Sequence, residues 1–600
     1  MNADAEAAAL HQSMKPTTDH FYAFDAFRLY PGKRLLLRGE TVVPLTAKVF
    51  DLLLLLVESG GALLEREELM MALWPRTVVE EGNLTQCVFV LRKVLGETRD
   101  GGRFIVTVPG RGYRFVAAVQ TLREQGGLLL SATDAPARRI ASIAILPLKV
   151  IGANKAFDYL GVGIADALIS VLSRAGDLLV RPTTAILKYS NHGQDPMAAG
   201  RELKVAAVLD GTLQTSGGRL RVSVQLINVN TSATLWAGRF EEALTDVFAL
   251  QDSMAEQIAR QLALEALPPV LSRRNQMPAD NVDVWQLYIK GRYFQDQRSA
   301  EGLRKSIACA HEVIALAPDF ARGYACLADA YNLLGEYLHL DPNEAFPRAE
   351  AAVQQALALD PALAEAHASR AEILMFYERA WAQAERAYQT AIRLNPNYAA
   401  AHHWYAWLLL TQSRFDEALH HLRLAQRIDP SSLYIKTALG LPYYYQGDYG
   451  QAIAHYHQAL EMDAGFSSAH YYLGEALAQQ GDYAAAIASF QQVQARHTQQ
   501  STALLAHTYA LAGQADQARA HLAELQAQAA TQYISPYCLA LIYTGLDETE
   551  AALRALTQAE AERAAWLIFL PIDPFLQRLH GEAQFAALRQ RILGRTAGSK

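Results

Sequence analysis

Residues Asn83–Phe115 decide how the chain is read: Asn83-Leu-Thr-Gln-Cys-Val-Phe-Val-Leu-Arg-Lys-Val-Leu95, a polar glycine-bearing break, then Arg103-Phe-Ile-Val-Thr-Val-Pro-Gly-Arg-Gly-Tyr-Arg-Phe115. In the first half Leu84, Cys87/Val88, Leu91 and Leu95 recur at steps of three to four. That spacing stacks them on the inward face of an amphipathic helix and leaves Thr85, Gln86, Phe89, Arg92 and Lys93 pointing away. The second half reads as a hairpin, with a β-rich run from Phe104 to Val108, a Pro-Gly-Arg-Gly tip and a return run from Tyr113. Between Arg92 and Arg114 six basic residues (Arg92, Lys93, Arg99, Arg103, Arg111, Arg114) face two acidic ones (Glu97, Asp100). A helix with an open cationic face, followed by a hairpin with arginine at its tip, suits a major groove beside a phosphate backbone. The expectation is a DNA-binding module, with the rest of the chain deciding when and with whom it binds.

Upstream, Phe21–Leu29, Arg34–Leu37 and Thr41–Val43 are short β-rich runs divided by turns at Pro31-Gly32 and Gly39-Glu40, and they predict a small antiparallel sheet. Thr46 is placed to cap a helix carrying Val49, Phe50, Leu53, Leu54 and Val57, which Gly60-Gly61 ends. A second helix runs from Glu65 to Trp74 and stops at Pro75. Residues 1–20 read as a disordered lead-in with nothing to bury, and residues 121–140 as a linker.

A sheet, three helices and a closing hairpin over residues 21–120 resemble the OmpR/PhoB-type winged-helix domain. The residues that carry the resemblance are Leu45-Thr46, Ala72-Leu73-Trp74, Val88 to Leu95, and above all the wing Thr107-Val-Pro-Gly-Arg-Gly-Tyr-Arg-Phe115. The resemblance implies that the third helix enters the major groove and the wing meets the adjacent minor groove. Carried over by position, it implies DNA contacts from Asn83, Gln86, Phe89, Val90, Arg92 and Lys93, from Thr107, Arg111 and Tyr113 at the wing, and from Trp74 near the backbone. Phe89 and Val90 stand where that family often has arginines, which points to fewer phosphate contacts or to apolar contact with thymine methyl groups. Pro109 fills a wing slot often held by arginine, a role Arg111 would then take. About twenty residues precede the sheet, too few for a receiver domain. The winged-helix-first order is similar to that of CadC/ToxR-type regulators, without the membrane helix that usually follows in them.

Residues 141–265 read as an α/β domain. Ser142-Ile-Ala-Ile-Leu-Pro-Leu148 is a buried type of strand. Helices are expected from Gly163 to Ala175, Met197 to Leu203 and Asp246 to Leu264, with strands at Leu178–Arg181, Ala207–Thr215, Leu220–Asn228 and Thr234–Phe240. Ile143-Ala-Ile-Leu-Pro147, Val208-Leu-Asp-Gly211, Val224-Gln-Leu-Ile227, Leu235-Trp236 and Phe248-Ala-Leu-Gln-Asp252 resemble a TolB/FlgO-like domain, which brings no chemistry of its own. Gly161-Val-Gly163 lacks the third glycine of a dinucleotide-binding turn and reads as ordinary turn glycines.

Across residues 281–600 the chain repeats. Asp360-Pro, Asn395-Pro, Asp429-Pro and Asp463-Ala recur at 35, 34 and 34 residues, and Gly447-Asp-Tyr and Gly481-Asp-Tyr lie 34 apart, followed by Gly513 and Gly545. Alanine-rich helix pairs fill the intervals, which is the tetratricopeptide pattern. An insert at Pro342–Pro347 lengthens one unit, and the residues past Pro574 read as a closing cap.

The bulk figures agree with several soluble domains: 600 residues, 51% hydrophobic, 19% charged, net charge −7. Cys87, Cys309, Cys326 and Cys538 have neither metal spacing nor a paired framework, so free thiols in a reducing compartment are expected. Nothing resembles a secretion signal or a bilayer span, and the expected location is the cytoplasm. No hydrolase elbow, phosphate loop, zinc spacing or kinase signature is present, so no catalytic residue, cofactor or metal is assigned. The histidines at 402–403, 420–421, 455 and 457 read as surface or groove residues, and Trp404, Trp407 and Tyr443–Tyr445 as packing between repeats. The fold class is therefore multidomain, with an α+β winged helix, a central α/β domain and an all-α solenoid. The function it implies is a sequence-specific transcriptional regulator that binds double-stranded promoter DNA as paired copies, its repeats holding a protein, peptide or small-molecule signal. The competing reading is a repeat-based scaffold whose winged helix touches proteins.

Overall fold

The computed structural model describes residues 20–31, 34–38, 41–43, 45–74, 81–97, 104–108, 110–123, 140–151, 158–175, 178–189, 195–216, 219–243, 247–262, 282–493 and 498–594. The lead-in through Asp19, the Gly39-Glu40 turn, Pro75, Arg99, Arg103, Pro109, the linker from Glu124 to Arg139 and the Gly217-Gly218 turn lie outside them. Two compact units, Met1–Ala135 and Pro136–Lys600, make up the chain.

In the first unit the order is β1 (His20–Phe24), β2 (Phe27–Tyr30), β3 (Leu35–Arg38), β4 (Thr41–Val42), α1 (Ala47–Glu58), β5 (Leu63–Glu65), α2 (Arg66–Leu73), α3 (Glu81–Leu95), β6 (Ile105–Val108), β7 (Gly112–Phe115) and β8 (Gln120–Arg123). The N-terminal strands pair as β4-β3-β2-β1, and β8 joins β1 antiparallel with His20 opposite Arg123. The strand thus runs to Arg123, past the Gln120 limit expected of the module: Thr121 and Leu122 have little strand character alone and gain it by completing the β1 ladder. The wing is a second sheet in the order β5-β7-β6. The strand β5 has no sequence signature and exists because β7 offers it a partner.

Thr46 does occupy the N-cap of α1, but its side chain makes no capping bond. The cap with a side-chain mechanism is on α2, where Glu65 and Glu68 form a capping box in which Glu68 accepts from the Glu65 N–H at 2.9 Å. Leu52, Leu53 and Leu56 of α1 and Leu84, Val88, Leu91 and Leu95 of α3 are buried together. At about 1.5–3 kcal/mol for each large apolar side chain, this inward face is what keeps α3 in place. Phe24 and Phe27 meet Phe115 and Phe104 edge-on at 5.1 and 5.8 Å, which joins the N-terminal sheet to the wing.

The second unit opens with a six-stranded sheet. Strands β9 (Ser142–Ile145), β10 (Lys149–Ile151), β11 (Leu179–Val180) and β12 (Ala207–Ser216) pair in parallel, and β12, β13 (Arg219–Asn228) and β14 (Thr234–Ala243) continue as an antiparallel meander. Helices Asp158–Leu172, Pro196–Glu202 and Val247–Gln261 belong to the same region. Gly161 and Gly163 are not turn glycines but lie inside the first of these helices. At Gly161 a Cβ would sit 2.0 Å from the Leu148 carbonyl oxygen, so glycine is required by close approach.

Antiparallel helix pairs follow from Val282 to Ala561. The aspartate and asparagine slots are explained by one turn: Asp360, Asn395, Asp429 and Asp463 each accept a backbone N–H two residues ahead, at 2.9, 3.0, 3.1 and 2.9 Å. Left-handed residues mark the turn inside each pair, at Arg298, Leu338, Arg379, Ser413, Gly447, Gly481, Gly513 and Asp547. Gly545 is therefore not the turn residue of its repeat. It ends helix Pro536–Gly545, where a Cβ would lie 2.9 Å from His507. The insert at Pro342–Pro347 is built into a helix: Pro342 opens the 18-residue helix Pro342–Leu359, longer than the 14-residue Trp381–Leu394 of the next pair, and Asp341 caps it by accepting from the Asn343 N–H. The chain then turns back on itself. Trp566 donates to the Glu336 carbonyl at 2.8 Å and stacks edge-on against Trp407, while Trp381 donates to the Ile592 carbonyl at 3.1 Å. Residues 564–570 are thus buried inside the solenoid they terminate.

Candidate nucleic-acid interface

Helix α3 presents Asn83, Gln86, Phe89 and Lys93 as exposed residues at steps of three or four, with Val90 half-buried beside them. One stripe of the helix therefore carries two amides, an ammonium and an aromatic ring. Phe89 is 61% exposed, which is unusual for a phenylalanine beside a well-packed core.

The wing is fixed to the end of this helix by two residues. Glu97 accepts from the N–H groups of Phe104 and Ile105, both at 2.7 Å, and pairs with the Arg92 guanidinium at 3.4 Å. Arg92 in turn donates to the Ile105 carbonyl at 3.0 Å and to the Thr107 hydroxyl at 2.8 Å. Nothing in the sequence singles out Glu97, because its partners lie across a break in the pattern. Tyr113 is only 3% exposed and forms part of the core, opposite Thr107 in the β6–β7 register. Arg92 and Tyr113 thus hold the wing against the helix, while Thr107 is half-buried at the junction.

At the wing tip Gly110 has a φ of +71°, and a Cβ on Gly112 would lie 1.9 Å from the Leu64 carbonyl oxygen. Both glycines are therefore structural, one for the turn and one for the approach of β5. Between them Arg111 is exposed, its guanidinium 3.6 Å from Glu65 and open to water. Trp74 is half-buried at the end of α2, with the Lys48 ammonium 6.0 Å over its ring.

The other groups singled out in the sequence lie in the repeats. His402 and His403 are buried, His403 on the lining of an internal cavity, whereas His420 and His457 are exposed. His402 reaches the Pro396 carbonyl at 3.1 Å, as His367 reaches that of Pro361 and His470 that of Ala464, both at 2.9 Å. The histidine six residues after the turn clamps the turn, a role the repeat period makes visible. Burial pushes the His403 imidazole down to about 3, with Arg298 adding to it. Trp407 and Tyr445 both pack on Phe569, at 5.5 and 5.8 Å. Cys309, Cys326 and Cys538 are buried and Cys87 half-buried, all as free thiols. Among the described residues no three His, Cys, Asp or Glu side chains are grouped as a metal would need, and no helix is long and apolar enough to cross a membrane.

An exposed helix braced to an arginine-tipped wing, ahead of a tetratricopeptide solenoid, is the build of a DNA-binding transcriptional regulator. The family described as "Transcriptional regulatory protein, C terminal" matches residues 39–115, and "Tetratricopeptide repeat" matches residues 376–432 and 437–501. Residues 139–257 match "HilA/YgeH-like transcriptional regulator, second domain", a different description from the TolB/FlgO-like one their motifs suggested. Among individual proteins the chain is similar to the transcriptional regulator HilA of Salmonella typhimurium, 23% identical over 73% of this chain and 76% of that one. It is also similar to the transcriptional activator CadC of Escherichia coli, 30% identical over 18% of this chain and 24% of that one. A third relative, named a putative adenylate cyclase 3 of Rhizobium meliloti, is 27% identical over 31% of this chain; the match spans about a third of that relative's length.

Proposed function

We propose that α3 enters the major groove of promoter DNA and reads it with Asn83, Gln86, Phe89 and Val90, while Lys93 engages phosphate. Arg111 reaches the adjacent minor groove from the wing tip, and Trp74 lies against the backbone. Amides suit adenine edges, and an exposed phenyl ring suits the thymine methyl group. Arg92, Thr107 and Tyr113 act at one remove, by setting the angle between wing and helix. The observation that carries this reading is the uninterrupted outward stripe of α3 beside a wing that is fastened to it.

In this reading the module spans residues 21–120, preceded in sequence by the lead-in 1–20 and followed by the linker 121–140, the central domain 141–265 and the solenoid 281–600. The protein works in the cytoplasm without catalysing a reaction, binds DNA as paired copies, and uses the second unit to receive a protein, peptide or small-molecule signal. The test is the salt dependence of binding to random and promoter duplexes. Affinity should fall steeply with salt, and Lys93→Ala with Arg111→Ala should each lower the slope by about one. Salt-independent binding, or none, would favour the scaffold reading.

A further inference from the structure

Between the central domain and the first repeats lies a cavity of about 210 Å³. Its walls come from helices Asp158–Leu172 and Thr183–Ile186 of the central domain and from helices Val282–Asp296, Ala321–Glu336, Ala364–Phe376, Ala399–Thr411 and Leu433–Ala438 of the repeats. The seam around it is closely fitted. Arg181 donates to the carbonyls of Arg427 and Ile428, and Asn397 donates to those of Ser173 and Leu178 at 2.9 and 2.8 Å. Arg322 is bound to Asp166 at 3.1 Å and also donates to Ser170. A cavity left in so well bonded a seam is a feature to explain.

Its lining is charged in both senses, and beyond the Arg322–Asp166 pair two of its arginines are held apart from the carboxyl groups. Arg292 donates to the Tyr288 hydroxyl at 3.4 Å and Arg298 to the Tyr337 hydroxyl at 3.1 Å, yet neither has a carboxylate within 4.0 Å among the described residues. Asp329, Glu365 and Glu372 line the same space. Asp329 accepts from Ser369, and burial pushes its carboxyl up to about 6 although Ser369 and Arg292 pull it down. Charges held apart in a recess are costly unless something between them completes their bonding. Trp404 adds an apolar wall, and Arg298 stacks 3.9 Å over the Tyr434 ring.

We propose that this cavity binds a small zwitterion carrying both a carboxylate and an ammonium, an amino acid or a short peptide in class and size. Arg292 and Arg298 take the carboxylate, and Asp329 with Glu365 takes the ammonium. A simple anion would also face the carboxyl groups of Asp296, Asp329, Glu365, Glu372 and Asp429, and a simple cation the guanidiniums of Arg292 and Arg298, so neither is satisfied alone. The volume holds a few heavy-atom groups rather than a nucleotide, since a 150 Å³ cavity is filled by one benzene. Because both domains supply its walls, the occupant braces the seam. The proposal rests on the reading of the second unit as the receiving part of a regulator.

The full chain would be melted with the common amino acids and their glycyl dipeptides at about 10 mM, and again with the N-acetylated and amidated forms. At least one zwitterion should raise Tm by about 2 °C or more, and its acetylated and amidated forms should bind at least about tenfold more weakly. Arg292→Gln and Asp329→Asn, each verified as folded by circular dichroism, should each abolish the shift. Absence of any shift across the panel, a shift equal for the singly charged forms, or one that survives both variants would overturn the proposal. Duplex DNA binding, measured on the same samples, separates this failure from failure of the regulator reading.

Discussion

The winged helix and the solenoid unit place their polar chemistry in opposite ways. Among the described residues of the first unit no polar or charged side chain is fully buried, and the groups proposed to read DNA stand on the outside of α3 and at the wing tip. In the second unit Glu336, Glu372, Arg379, His402, His403, Glu475 and His507 are all buried. Outward charges act at a distance, are screened by salt, and can change without disturbing the fold. Inward charges are unscreened, and their protonation is bound up with the shape of the protein. The first arrangement suits contact with a large charged partner, and the second ties the charge of the interior to its fold.

The sharpest way to break that contrast lies within α3. Leu91 is fully buried and Phe89 is mostly exposed, two positions apart. Leu91→Ala should cost the first unit about 3–5 kcal/mol and abolish DNA binding by unfolding it. Phe89→Ala should change stability by less than about 0.5 kcal/mol and still weaken binding to a thymine-bearing site. Urea unfolding, read beside DNA affinity, separates the two. If Phe89→Ala unfolds the unit, the outward stripe is not a free surface.

A smaller effect sharpens the contrast among the arginines. Arg92→Ala removes two hydrogen bonds and an ion pair to Glu97 that hold the wing, and should cost about 1–3 kcal/mol. Arg111→Ala removes only an exposed pair with Glu65 and should leave the midpoint of unfolding in place while lowering affinity and its salt slope. Equal loss of stability in both variants would contradict the division of positioning from contact.

The inward face of α3 was legible because a periodic run of apolar residues needs no knowledge of the rest of the chain. The role of Arg92 was not, since sequence marks it as one more outward cation and only the wing supplies its partners. The same holds for Leu63–Glu65 and Gln120–Arg123, whose strand state is lent by neighbours far away in sequence. In the repeats the Asp-Pro slots were visible as a period, whereas His402 looked like a surface or groove residue until the Pro396 carbonyl it clamps was in place. The cavity was out of reach altogether: its walls come from seven helices spread between Asp158 and Ala438, and no local pattern marks Arg292 or Asp329 as neighbours.

The gentlest expected effect tests the inward charges by pH. Burial pushes the Glu336 carboxyl from 4.5 up to about 8, with Arg298 pulling it back. The folded state then holds this proton where the unfolded state has lost it, so stability falls as pH rises between about 4.5 and 8. Burial acts in the other direction on His403 and His507, pushed from 6.5 down to about 3 and about 4. Their folded forms stay neutral where the unfolded chain is protonated, so stability rises with pH up to about 6.5. The two trends oppose one another and leave the alkaline loss to the carboxyl groups. Glu336→Gln should therefore flatten that loss, raising Tm at pH 8 by on the order of 2 °C relative to the parent while narrowing the difference near pH 4.5. Thermal melts of both proteins across pH 4.5–8 decide it. A parallel shift at every pH would mean that the substitution acts through packing and not through the proton Glu336 retains.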